Sequence, residues 1–159
     1  MVVSHRQMRR SDAAEIRGVA LLSWRHAYRG IFTEELIEKF VGENYSDERL
    51  AGLLPEMRAG NAFFFVAFED GKILGFCNIG RSSGWELFHI YVLPEYARKG
   101  IGRRLLRRGE DFLRRKGAKK YFCFVYKRNA VAAEFYARSG FSRVPEEDKA
   151  DELYLEKRL

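Results

Sequence analysis

Two cysteines in 159 residues are too few for a disulfide framework. Cys77 and Cys123 each stand inside an apolar, strand-like run, which reads as small core residues rather than a cross-link or a metal site. No run approaches the ~18 consecutive apolar residues of a membrane-spanning helix, and Met1-Val2-Val3-Ser4-His5-Arg6 lacks the apolar centre of a signal peptide. A cytoplasmic protein with no membrane partner is the expectation. No repeat or low-complexity linker divides the chain, so residues 1–159 read as one domain. The common nucleotide loops are missing too. GxxxxGK[ST] does not occur, and a GxGxxG loop begun at Gly100-Ile101-Gly102 fails at Leu105. The acidic ribose ligand due about 20 residues further on is replaced by Lys119-Lys120-Tyr121.

What is present begins with a core. Hydrophobic residues make up 47% and aromatic residues 14% of the chain, which suits an ordered globular domain. The net charge is +7, and the excess is local: Arg98–Lys120 holds eleven Lys/Arg against Glu110 and Asp111. Nucleic acid is one partner such a face would suit. Arg103, Arg104, Arg107, Arg108, Arg114 and Arg115 lie off the apolar stripe of their segment, however, which favours a solvated helix face.

The patterning predicts a mixed α/β layered domain. Val2–Met8 reads as a short strand. A helix follows with Asp12 as N-cap and runs through Trp24 and Ala27 to Gly30. Thr33 opens a second helix and Ser46 a third, whose continuation past Pro55 is in doubt. Ala62–Phe68 and Lys72–Ile79 flank Glu69-Asp70-Gly71, a hairpin signal, because Asp-Gly takes the positive φ angles of a tight turn. Leu87–Leu93 is a further strand, ended by Pro94, and Ile101–Leu113 a helix with Ile101, Leu105, Phe112 and Leu113 inward. Lys120–Tyr126, Asn129–Ser139, Phe141–Val144 and Leu153–Glu156 complete the order as strand, helix, strand, strand. The sheet is expected to have about six to seven strands, mostly antiparallel, flanked by helices.

The turn before the central helix carries chemistry. A helix N-terminus has unpaired, partly positive N–H groups, and Gly100 and Gly102 let a phosphate approach the backbone. Arg98, Lys99, Arg103 and Arg104 add charge around the same point. A glycine loop beside a solvated basic face is the competing reading.

The segment Tyr91-Val92-Leu93-Pro94-Glu95-Tyr96-Ala97-Arg98-Lys99-Gly100-Ile101-Gly102 resembles the acetyl-CoA-binding motif [QR]xxGx[GA] of the GCN5-related N-acetyltransferase (GNAT) superfamily, with Ala97 in place of the usual Gln or Arg. Asn129 through Phe141 is similar to the family pattern Asn-x₆-Tyr-x₃-Gly-Phe, with Tyr136 as its tyrosine. The resemblance implies the GNAT fold, acetyl-CoA as co-substrate and transfer of the acetyl group to a primary amine. It also implies that a backbone amide of the bulged fourth strand, about Ile90, Tyr91 or Val92, polarises the acetyl carbonyl. Tyr136 would protonate the leaving thiolate and Asn129 would hold the pantetheine arm. The loop Ala97, Arg98, Lys99, Gly100, Ile101, Gly102 and Arg103 would hold pyrophosphate. Such domains often pair through sheet edges or C-terminal strands, so a homodimer is a further implication. No metal is implied.

The reaction needs a neutral amine, although a free alkylamine has a pKa near 10. Glu86, early on the same strand, is the candidate base; its alternative is an ordinary charged residue at a strand end. His89 falls on the opposite face from Glu86 if the strand is regular. Trp24-Arg25-His26-Ala27-Tyr28-Arg29-Gly30-Ile31 resembles the WRxxYRGI stretch of bacterial and archaeal members, including polyamine acetyltransferases. Trp24 and Tyr28 share a helix face and would wall an acceptor pocket together with Glu86; core packing is their alternative. Glu34, Glu35 and Glu38 would draw a polycation or simply be solvated. A small amine such as a polyamine is the expected acceptor, ahead of a protein N-terminus or lysine. A non-catalytic acyl-CoA-binding module and a nucleic-acid-binding protein are the rivals from other classes.

Overall fold

A computed structural model describes residues 1–159. Seven strands form one sheet: β1 (Ser4–Gln7), β2 (Phe63–Glu69), β3 (Lys72–Arg81), β4 (Trp85–Val92), β5 (Lys120–Tyr126), β6 (Ser142–Arg143) and β7 (Glu152–Arg158). Their spatial order is β1-β2-β3-β4-β5-β7-β6, and every neighbouring pair is antiparallel except β4 with β5. The helices are α1 (Ala13–Tyr28), α2 (Glu34–Asn44), α3 (Asp47–Arg58), α4 (Ile101–Arg115) and α5 (Ala130–Arg138). The mixed, mostly antiparallel sheet flanked by helices agrees with the sequence reading.

Turn chemistry built the first half. Asp70 and Gly71 have φ of 49° and 79°, so the β2–β3 hairpin closes through the two left-handed residues that Asp-Gly supplies. Thr33 and Ser46 cap α2 and α3 by accepting the Leu36 and Arg49 N–H groups. Asp12 stands at the N-cap position of α1, as expected, but its side chain makes no bond to the first turn. Its carboxylate instead accepts the Arg9 N–H and both Arg6 guanidinium nitrogens, at 2.7–2.9 Å, which ties the end of β1 to the turn entering α1. α3 runs three residues past Pro55, whose carbonyl accepts the Ala59 N–H at 2.9 Å.

The two faces of the sheet are covered differently. Phe64, Phe76 and Tyr91 pack with Tyr45 on the face of α1–α3. Phe63 and Trp85 pack on Phe112 of α4 on the other. α4 buries more than its expected stripe: Leu106, Gly109 and Glu110 are also inward. Gly109 lies so close to β3 that a Cβ there would stand 2.5 Å from Ile79 Cδ1. Glu110 accepts from the Tyr121 hydroxyl at 2.7 Å and from Lys157 Nζ at 2.5 Å, joining α4 to β5 and β7. The exposed arginines of α4 (residues 103, 104, 107, 108, 114 and 115) form the solvated face expected of them.

Candidate active site

The parallel pair β4–β5 is registered at one point, Glu86 opposite Phe122, and beyond it the strands part. This leaves the second half of β4 with an open edge. Leu93 N–H donates to Leu74 O at 2.8 Å. Counting back through Val92↔Gly75, Tyr91↔Phe76 and Ile90↔Cys77, the alternation of an antiparallel ladder turns the Tyr91 N–H towards β3. The Ile90 and Val92 N–H groups therefore point into the gap. The Val92 carbonyl accepts from Ser23 Oγ at 3.3 Å, so α1 steadies this end of the strand. Ser23 is a buried polar residue within the apolar stripe of α1, the one sequence signal that would have flagged it.

Gly75 allows this strand to lie where it does. A Cβ there would stand 2.6 Å from Tyr91 O and 3.2 Å from Val92 Cα. β4 is also bulged: Asn78 pairs with His89 but Ile79 with Leu87, leaving Phe88 as the extra residue. The bulge reverses the facing of the residues beyond Phe88. Trp85 lies on the α4 face, so Glu86 lies on the α1 face, yet His89 also meets Tyr45 on the α1 face. The expectation that His89 opposes Glu86 held only for a regular strand and is corrected. His89 Nδ1 and the Tyr45 hydroxyl are 2.7 Å apart. Burial, with the Arg49 charge second, pulls its imidazole down to about 4, so it is neutral at physiological pH.

At the mouth of the gap the chain turns through Arg98 (φ 63°) and Gly100 (φ 81°) into α4. Helices α2, α3 and α5 begin with a side chain bonded to their first turn, whereas α4 begins at Gly100 with none. The first α4 N–H with a backbone acceptor is that of Arg104, on Gly100 O at 3.1 Å. The N–H groups of Ile101, Gly102 and Arg103 precede it and face outward from the helix end. Ala97 donates its N–H to Pro94 O and presents no polar side chain. Arg98, Lys99 and Arg103 are exposed around the turn. This arrangement fits a pyrophosphate: uncapped amides, close approach at glycine, and cations at the rim.

The third wall is α5. Asn129 caps it, its Oδ1 accepting the Ala132 N–H at 3.1 Å, while its Nδ2 donates to the Tyr28 hydroxyl at 3.2 Å. Tyr136 is 8% exposed and packs on Phe135 and Phe141. Only His5 Nε2 and Asn78 Oδ1 are fully enclosed without a partner. The Tyr136 hydroxyl, which also lacks one, is therefore not fully enclosed. Burial raises its phenol well above the ordinary value, so it holds its proton.

Trp24 and Tyr28 stand on the α1 side, 4.4 Å apart between ring centroids. Trp24 Nε1 donates to the Tyr91 hydroxyl at 2.9 Å, so the first third of the chain reaches the reactive strand through hydrogen bonds as well as packing. Phe32, Phe40 and Tyr126 extend this aromatic wall. Glu86 accepts from Ser82 Oγ at 2.6 Å and pairs with no cation. Arg25, by contrast, pairs with Glu34 at 2.5 Å and reaches Glu38 at 3.4 Å, which offsets one of those two charges.

A strand edge with free amides, a protonated phenol with an unpaired hydroxyl and an uncapped anion turn suit group transfer from a phosphate-bearing donor. The comparisons with known proteins name the class. Residues 21–141 match the acetyltransferase (GNAT) family, and the chain belongs to that family; it is an acetyltransferase. It is 32% identical to the spermidine N(1)-acetyltransferase of Thermoplasma acidophilum over 95% of this chain and 94% of that one. It is also similar to the crystal structure of PaiA N-acetyltransferase from Thermoplasma acidophilum in complex with coenzyme A, with a TM-score of 0.94, 30% identity and full coverage of both chains. The Escherichia coli ribosomal-protein-S18-alanine N-acetyltransferase shares the fold at a TM-score of 0.71 and 20% identity, over 99% of this chain and 94% of that one. No helix is long and apolar enough to cross a membrane.

Proposed function

We propose that the protein transfers the acetyl group of acetyl-CoA directly to a small primary amine of the polyamine kind. The likeness to the Thermoplasma acidophilum spermidine N(1)-acetyltransferase along almost the whole length carries the choice of acceptor. Acetyl-CoA supplies the thioester whose acyl group is moved. Everything else is work for the chain.

The uncapped amides of Ile101, Gly102 and Arg103, with Arg98 and Lys99 beside them, bind the donor's pyrophosphate. Arg98 stands next to the position where Ala97 carries no charge, and its left-handed backbone turns it out at the mouth. The Ile90 and Val92 N–H groups lie along the donor's arm. One of them donates to the acetyl oxygen, a bond that strengthens as negative charge develops there. Tyr136 donates its proton to the departing sulfur. A phenol kept protonated by burial is the right form for that step, since an already ionised tyrosine would repel a thiolate.

Glu86 lies on the α1 side, where the aromatic wall of Trp24 and Tyr28 leads the acceptor in. It takes the proton that an alkylammonium must lose before it attacks, acting through water. Its carboxylate is free of any cation of the chain and is held by Ser82 alone, which leaves an oxygen for that role. The test is a panel of amines with acetyl-CoA, read by thiol release and product mass. Acetylated polyamine supports the reading. Product confined to peptide N-termini or lysines would replace it.

A further inference from the structure

The α1 side of β5 and β7 shows a surface that the transfer chemistry does not use. Cross-strand neighbours share a face, and three rows run across these strands: Phe122↔Glu156, Phe124↔Tyr154 and Tyr126↔Glu152. The other face of β5, Tyr121, Cys123 and Val125, is buried. On this face Phe124, Tyr126, Glu152 and Tyr154 are all half-buried, since α1 lies over β3 and β4 rather than over β5 and β7. Tyr126 meets Phe32 at 5.2 Å and Tyr28 at 6.0 Å, so the surface continues directly from the wall of the acceptor entrance.

Two observations say what this surface takes. The first is a guest of the chain's own. Lys149 Nζ stands 3.8 Å from the centroid of Phe124, a shorter approach than any other cation–ring contact in the molecule, which span 4.8–5.8 Å. An exposed lysine is an alkylammonium on a four-carbon stem, the same group that a polyamine presents. The second is charge. Glu156 is matched by Lys120 at 3.0 Å, whereas Glu152 has no cation partner although the chain carries a net charge of +7. Glu152 is the cross-strand partner of Tyr126, whose ring lies 6.0 Å from that of Tyr28, so it stands beside the entrance.

We propose that Phe124, Tyr126 and Glu152 form a subsite for the second ammonium of the acceptor, and that Lys149 occupies it until the acceptor displaces it. This rests on the polyamine reading above. β7 lies two strands beyond β4, about 10 Å across a sheet, plus the parting of β4 from β5. A triamine of spermidine's length attacking at the β4 edge covers that span with its far ammonium, whereas a short diamine falls short of it and a monoamine has no second charge to offer.

The test compares kcat/KM for spermidine with kcat/KM for n-butylamine in the wild type and in E152Q, F124L and K149M. The ratio falls about tenfold in E152Q and in F124L, through KM for spermidine, the size of one lost charge or ammonium–ring contact. In K149M it rises, because the internal competitor is gone; a misfolded variant would not produce that gain. Spermidine acetylated with the same ratio in all four proteins would overturn the subsite and leave the acceptor reading standing. A wild type that acetylates neither amine would overturn both. A change in oligomeric state of E152Q by light scattering, with the ratio unmoved, would assign this face to a second copy of the chain instead.

Discussion

In the proposed reaction, Tyr136 concentrates the acid chemistry in one oxygen. Its ring is held by Phe135 and Phe141, its hydroxyl has no partner in the chain, and its burial keeps the proton in place. Removing that oxygen while keeping the ring isolates its contribution. Tyr136→Phe is expected to lower kcat by roughly 10²–10⁴-fold, the usual range for a positioned acid, with KM for acetyl-CoA little changed. Steady-state kinetics checks this, and a variant as fast as the wild type would show that the thiolate departs unassisted. Glu86 makes a different claim, because a base matters only while the amine is protonated. Glu86→Gln is expected to lose kcat/KM chiefly below the pKa of the amine, near 10 for an alkylamine, and to approach the wild type above it. A pH–rate profile that is merely scaled down at every pH would assign Glu86 to binding.

At the scale of elements, the active strand depends on its neighbour. Gly75 of β3 faces the Tyr91–Val92 backbone so closely that an added methyl group meets Tyr91 O at 2.6 Å, and backbone on a sheet cannot yield as a flexible side chain can. Gly75→Ala is expected to cost about 1–3 kcal/mol and, by shifting the Ile90 and Val92 amides, to reduce kcat as well. Urea unfolding and kinetics measure the two effects separately; a loss of stability with kcat intact would mean that β4 absorbs the methyl without moving its free edge. The strand pattern that makes Gly75 matter was readable in advance, since the Asp70-Gly71 turn and the apolar runs on either side define the hairpin. So was the strand–turn–helix unit from β4 through Gly100 into α4, because proline, glycine and helical spacing are local signals. The bulge at Phe88 was not. It depends on how β3 and β4 twist against each other, and an extra residue in a strand leaves no mark in alternation until the partner's register is known. For the same reason His89 looked opposed to Glu86. The pairings Trp24–Tyr91 and Tyr28–Asn129 were equally hidden, since each joins residues at least 67 positions apart.

Over the whole molecule, the apolar core supplies most of the stability, and a few polar groups buried inside the layers add to it. Glu110 ties α4 to β5 through Tyr121 and to β7 through Lys157. Glu110→Ala would leave an ammonium and a phenol without their acceptor, and the expected loss is about 3–5 kcal/mol in urea unfolding. A loss below about 1 kcal/mol would show that water replaces the carboxylate. His89 governs stability through pH instead. Its imidazole is held near 4 in the folded protein against 6.5 when exposed. Below pH 6.5 the unfolded chain takes up a proton that the folded one refuses, so stability falls as the pH drops and levels off below about 4. The full effect is on the order of 2–3 kcal/mol, at the lower end because the ring is only half-buried. His89→Gln, which keeps a polar atom for Tyr45 but cannot titrate, should flatten the wild-type decline between pH 6.5 and 4. Urea midpoints at about pH 7, 5.5 and 4.5 decide it: a constant offset between the two proteins would mean that another group carries the acid sensitivity. His5 is the next candidate, since burial and the charges of Arg108 and Arg104 also lower its imidazole, and it acts in the same direction below pH 6.5.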